Sequence, residues 1–127
     1  MTHKIEFDPT DNLVIAYAQG KMSIQSILEL IRETISLAKK MNCPKLLAVL
    51  KDADLKAITT MDFYALPEKV TKLIEAHGLN EYDFKRAIVG TEKQDLLPFY
   101  ETVTLNAGYR TKLFFDIEEA KEWLREQ

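Results

Sequence analysis

The chain has 127 residues, of which 46% are hydrophobic and 29% charged, with a formal net charge of -3. That length suits one domain whose core needs no staple, and the apolar content excludes intrinsic disorder. Lysines and arginines scattered among a slight acidic excess argue against nucleic acid as a partner.

Lys4 to Phe7 alternates polar and apolar side chains, and so does part of Leu13 to Ala18, with the turn-forming cluster Asp8-Pro9-Thr10-Asp11-Asn12 between them. This predicts a β-hairpin, its second strand closed by Gly20. Ser23 is an N-cap residue, and Ile24, Ile27, Leu28, Ile31, Ile35 and Ala38 follow at helical spacing. The helix is expected to reach about Met41, with Lys39 and Lys40 set against its dipole and Cys43-Pro44 stopping it. Lys45 to Leu50 is a short apolar run, as expected of a strand covered on both faces, and Lys51-Asp52-Ala53-Asp54 is its polar exit.

Thr59-Thr60 caps a second helix carrying Phe63, Leu66, Val70, Leu73 and Ile74, and His77-Gly78 ends it. Pro67 falls inside, where it either kinks one helix or separates two. Lys85 to Gly90 is the next strand, Asp95 to Ala107 a third helix ended by Gly108, and Lys112 to Phe115 the last strand. Asp116 caps the final helix, with Glu119 completing a capping-box pattern and Ala120, Trp123 and Leu124 forming its buried stripe. Helices between successive strands imply right-handed crossovers. The expected architecture is therefore a single α/β domain over residues 1–127, with a five-stranded mixed sheet, an N-terminal β-hairpin and about four helices.

Few residues propose chemistry. His3 is assigned to a mobile N-terminus and His77 to a helix end, without the His-x-x-x-His spacing of a metal site. The lone cysteine, Cys43, cannot form an internal disulfide, gives no zinc pattern and reads as an inert thiol. The four glycines stand at element ends and form no phosphate-binding loop. No cofactor, metal site or catalytic set is expected. Asp52 and Asp54, two apart at the carboxyl edge of a parallel strand, support the rival reading of a small metal-assisted hydrolase. The longest apolar run is Leu46 to Leu50, far below the ~20 residues that cross a bilayer, and Met1 to Phe7 carries no signal-like stretch, so the expected location is cytoplasmic.

Four segments, Arg86-Ala87-Ile88-Val89, Phe99-Tyr100-Glu101-Thr102, Leu113-Phe114-Phe115-Asp116 and Glu119-Ala120-Lys121-Glu122-Trp123-Leu124, taken with the order of elements, resemble the SpoIIAA-like group of the STAS superfamily, which is sometimes grouped with the CRAL-TRIO lipid-binding fold. The resemblance implies a small non-enzymatic α/β domain. Relatives act as regulatory interaction modules, or bind a nonpolar ligand with membrane association. Anti-sigma-factor antagonists of the superfamily carry a phosphorylatable serine in an Asp-Ser-Ser-Gly motif after the third strand. Here Ile58-Thr59-Thr60-Met61-Asp62 occupies that place without the motif, leaving Thr59 and Thr60 as candidate phosphorylation sites.

The segment Leu55 to Leu79 concentrates large apolar groups around the proline. Leu55, Ile58, Met61, Phe63, Tyr64, Leu66 and Val70 form the candidate region for a hydrophobic ligand or membrane contact. Lys51, Lys56, Lys69 and Lys72 could attract anionic headgroups. The expected function is a binding or regulatory module that takes a protein partner, a small nonpolar ligand or a second copy of itself.

Overall fold

The computed structural model describes residues 2–126. Strands β1 (Thr2–Asp8) and β2 (Leu13–Lys21) form the hairpin; α1 (Ile24–Met41), β3 (Lys45–Asp54), α2 (Thr60–Ala76), β4 (Lys85–Val89), α3 (Leu96–Asn106), β5 (Arg110–Phe114) and α4 (Ile117–Arg125) follow. The strands stand side by side in chain order, β1 antiparallel to β2 and the other pairs parallel. That order has a consequence for layering. Three right-handed crossovers all stepping in one direction must lay their helices on one face. Residues of α1, α2 and α3 accordingly share one core with Val14, Ala16, Leu46 and Ile88 of the sheet, while Ala120 and Leu124 of α4 pack on Leu13, Ile15, Leu47, Val49, Ala87 and Val89 opposite.

Several ends are built as the residue types require. Asp8 Oδ1 accepts from the amides of Thr10 and Asp11, and Asn12 takes a left-handed φ of 53°, closing the hairpin. Ser23 Oγ accepts from Ser26 N–H at the start of α1. Gly108, at φ 85°, ends α3 in the left-handed region that favours glycine. Asp116 caps α4 by accepting from Glu118 N–H at 2.8 Å rather than through the expected pairing with Glu119. Pro67 lies inside one continuous α2, with no N–H to meet the Phe63 carbonyl, so the two-helix alternative falls.

Other expectations are corrected. Gly20 does not close β2, which pairs onward through Lys21. Lys51 to Asp54 is strand, not an exit: the β2–β3 register shifts between Tyr17 and Gln19, and β3 resumes pairing with Gln19 opposite Asp52 and Lys21 opposite Asp54. Gln94, ahead of α3, holds this stretch: its Nε2 donates to the carbonyls of Leu50 and Ala53 at 2.6 and 2.9 Å, and its Oε1 accepts from Thr91 N–H. His3 is not in a loose terminus. It sits in β1, across from Ala18, and bonds Glu33 of α1.

Candidate functional site

The alternation of β2 and β3 puts Ala16 and Ala48 on the face beneath the three helices, and the register makes them direct neighbours. Two methyl groups side by side leave the sheet's floor low where larger side chains would fill the gap. Above it the helices contribute Ile27 and Ile31 from α1, Phe63 and Val70 from α2, and Leu97 from α3. The result is a cavity of about 100 Å³ with an almost wholly apolar wall. An engineered protein cavity of about 150 Å³ with such a wall stays dry and takes benzene.

The candidate segment around α2 divides by face. Phe63, Leu66 and Val70 point inward, at most 3% exposed, and line the cavity together with Leu55. Ile58 is also buried, at 2%, but outside the cavity wall; its amide closes a turn onto the Leu55 carbonyl. Met61 and Tyr64 point outward and are 72% and 63% exposed. One helix thus carries both a cavity wall and an exposed apolar pair.

At the start of α2, Thr59 and Asp62 form a reciprocal capping box: Asp62 N–H donates to Thr59 Oγ1 at 3.1 Å, and Thr59 N–H donates to Asp62 Oδ2 at 3.0 Å. Thr59 and Thr60 are both exposed.

The cavity has a polar end that sequence reading did not single out. Arg86 and Thr111 are partners in the β4–β5 register, face the helices and line the cavity. Arg86 donates to Glu81 Oε1 at 2.5 Å, from a short 3₁₀ turn before β4. Glu81 and Thr111 are 4% and 1% exposed, and neither Glu81 Oε2 nor Thr111 Oγ1 has a hydrogen-bond partner among the described residues. Burial pushes the Glu81 carboxyl above its usual range, against the opposing pull of Arg86. The Tyr100 hydroxyl is also pushed up by burial, with Arg86 and Glu81 acting on it in opposite senses. A signal existed: alternation places Arg86 on the same face as Ile88, so an inward charge could have been read from phase alone.

This polar end lies near the amino-terminal ends of β4 and β5, whereas Asp52 and Asp54 stand at the carboxyl end of β3. Asp54 Oδ1 accepts from Lys56 N–H at 3.0 Å, and Asp52 is exposed. Among the described residues no three His, Cys, Asp or Glu side chains gather as metal ligands. His77 joins two helices. Its Nδ1 lies 2.7 Å from the Leu73 carbonyl, which can only accept, so Nδ1 carries the proton, and Nε2 faces Ser36 Oγ at 3.1 Å. Cys43 is buried, its thiol directed at the Asn12 carbonyl at 3.2 Å. Among the described residues no helix is long and apolar enough to cross a membrane.

Two solved structures share this architecture over nearly their whole length. One is an anti-sigma factor antagonist from Mycobacterium paratuberculosis, with TM-score 0.55, 12% identity, and coverage of 98% of this chain and 96% of that one. The other is an uncharacterized DUF3478-family protein with a SpoIIAA-like fold from Shewanella loihica PV-4, with TM-score 0.53, 23% identity, and coverage of 97% and 92%. The fold is SpoIIAA-like. No protein-family model matches the chain, and no curated protein sequence matches it. The SpoIIAA-like chain is thus placed by its architecture, and its site must be read from its own residues.

Proposed function

We propose that this protein is a non-enzymatic binding module that takes a small nonpolar ligand beneath α2 and offers the outer face of the same helix to a protein partner. The observation that carries the reading is the division of α2: Phe63, Leu66 and Val70 face an apolar cavity, while Met61 and Tyr64, at 72% and 63% exposure, face solvent. Filling the cavity would press on α2 and alter the surface it presents, which is a means of regulation. The likeness in fold to an anti-sigma factor antagonist supports a protein as the partner. Thr59 and Thr60, one turn from Tyr64, are where a phosphate would act on that surface. On Thr59 it would repel the Asp62 carboxylate and open the capping box, and on Thr60 it would lie at the positive end of the helix.

Native mass spectrometry of the purified protein, with extraction of whatever is bound, tests the ligand half of the reading. Ala48→Leu raises the cavity floor by three carbons and is expected to abolish uptake. A ligand that stays bound to the Ala48→Leu protein at full occupancy would place it elsewhere. Met61→Ser with Tyr64→Ser tests the partner half, and is expected to weaken capture of the partner without emptying the cavity.

A further inference from the structure

The unpartnered hydroxyl at the end of the cavity says what kind of nonpolar molecule belongs there. We propose that the ligand carries one uncharged hydroxyl on an apolar body no larger than about a benzene ring, with that hydroxyl bonded to Thr111 Oγ1 beside Arg86. The inference rests on the ligand-binding reading above and adds the chemistry of the head.

Three observations lead to it. Thr111 is 1% exposed and its Oγ1 meets no partner among the described residues, so a donor and acceptor stands idle in a wall that is mostly apolar. Leaving such a group unpaired is costly, and a ligand that pairs it recovers that loss. The cation at this end already has a partner: the guanidinium of Arg86 is bonded to the Glu81 carboxyl, which is 4% exposed. An anionic head would have to be desolvated and compete with that carboxyl for Arg86, whereas a hydroxyl brings no charge into the buried site. Size sets the remaining limit, because about 100 Å³ holds a small ring or a short chain and not an extended lipid tail.

Benzene, phenol and benzoate form a probe set of one body with no head, a neutral hydroxyl head and an anionic head. Binding is followed by amide chemical shifts of residues lining the cavity in the intact chain. Phenol is expected to bind roughly tenfold more tightly than benzene, the effect of one hydrogen bond, and more tightly than benzoate. Thr111→Val, which keeps the side-chain shape, is expected to lower phenol to the level of benzene while leaving benzene unchanged. Thr111→Ser, which keeps the hydroxyl, is expected to retain the preference. Equal binding of benzene and phenol, tighter binding of benzoate, or a phenol affinity untouched by Thr111→Val would each overturn the assignment of the head while leaving the cavity as a ligand site. Failure of all three probes to shift cavity amides would overturn the ligand reading itself.

Discussion

Lys85 Nζ lies 4.4 Å from the centre of the Trp123 ring and donates to the backbone carbonyl of the same residue. A second bond, to the Glu126 carbonyl at 2.9 Å, makes this ammonium the cap of the carboxyl end of α4. The placement answers two needs. The last carbonyls of a helix lack partners inside it, and a cation there meets the negative end of its dipole. Lys85 is only 8% exposed, and burial lowers its pKa from the usual value. Lys85→Met keeps the aliphatic stem and removes the ammonium. It is expected to destabilise the chain by about 1–3 kcal/mol, the loss of two hydrogen bonds from a charged donor, and to change Trp123 fluorescence before global unfolding. Denaturation followed at Trp123 and by far-ultraviolet circular dichroism checks this. Coincident, unshifted curves would show that α4 does not depend on Lys85.

The two faces of α2 make opposite predictions. Leu66 is 3% exposed in the cavity wall, and Leu66→Ala is expected to cost about 2–5 kcal/mol. Tyr64, two residues away and 63% exposed, is expected to change stability by less than about 0.5 kcal/mol when replaced by serine. Urea midpoints of the two variants settle the matter. Comparable losses would mean that Tyr64 packs on something in solution, and a second copy of the chain would be the first partner to test.

The capping box at Thr59 gives a third test. Thr59→Ala is expected to lower stability by about 1 kcal/mol. Asp62→Ala should cost a similar amount, and because the two bonds are reciprocal the double variant should lose less than the sum of the two. Thr60→Ala, next in sequence and outside the box, should be close to neutral. Strict additivity of Thr59 and Asp62 would mean that the two bonds act independently.

Glu81 predicts a pH dependence. Its carboxyl is held above the ordinary 4.5 because burial disfavours the ionised form more than Arg86 favours it. The folded chain therefore keeps this proton to higher pH than the unfolded chain does. The corresponding contribution to stability is fully present below about pH 4.5 and is lost as pH rises through the folded value. Glu81→Gln keeps an oxygen for Arg86 and does not titrate. The stability of the parent minus that of Glu81→Gln is expected to fall as pH rises above about 4.5. Urea unfolding at several pH values measures this, and a flat or rising difference would contradict it.

Local rules carried much of the fold. Helical spacing in Ile24 to Ala38, the Thr59 cap, Gly108 and the short buried strands each express a preference that acts within a few residues, and each is found in place. The departures have a different cause. Pro67 stays inside α2 because burying the helix's inner face outweighs one missing hydrogen bond. Lys51 to Asp54 looks like a polar exit, yet β2 and Gln94 hold it as strand, and both partners are remote in sequence. His3 finds Glu33 across 30 residues. The site follows the same division. The apolar inner stripe of α2 could be read from its period, whereas the Ala16–Ala48 floor and the Arg86–Thr111 end exist only through the pairing register between strands.

The layering also bears on how the chain is made. Leu13, Ile15, Leu47, Val49, Ala87 and Val89 form one face of the sheet, and the helix that covers them brings Ala120 and Leu124 from later in the chain than any strand. During synthesis β2 and β3, which carry most of this face, leave the ribosome well before α4 does, so the face is bare until the end of the chain emerges. A nascent chain in that state shows a flat apolar surface of the kind that recruits other chains. Slowing translation over the last codons, once β2 and β3 are outside the ribosome, should lengthen that exposure and increase aggregation. Slowing it while β2 is still being made should not.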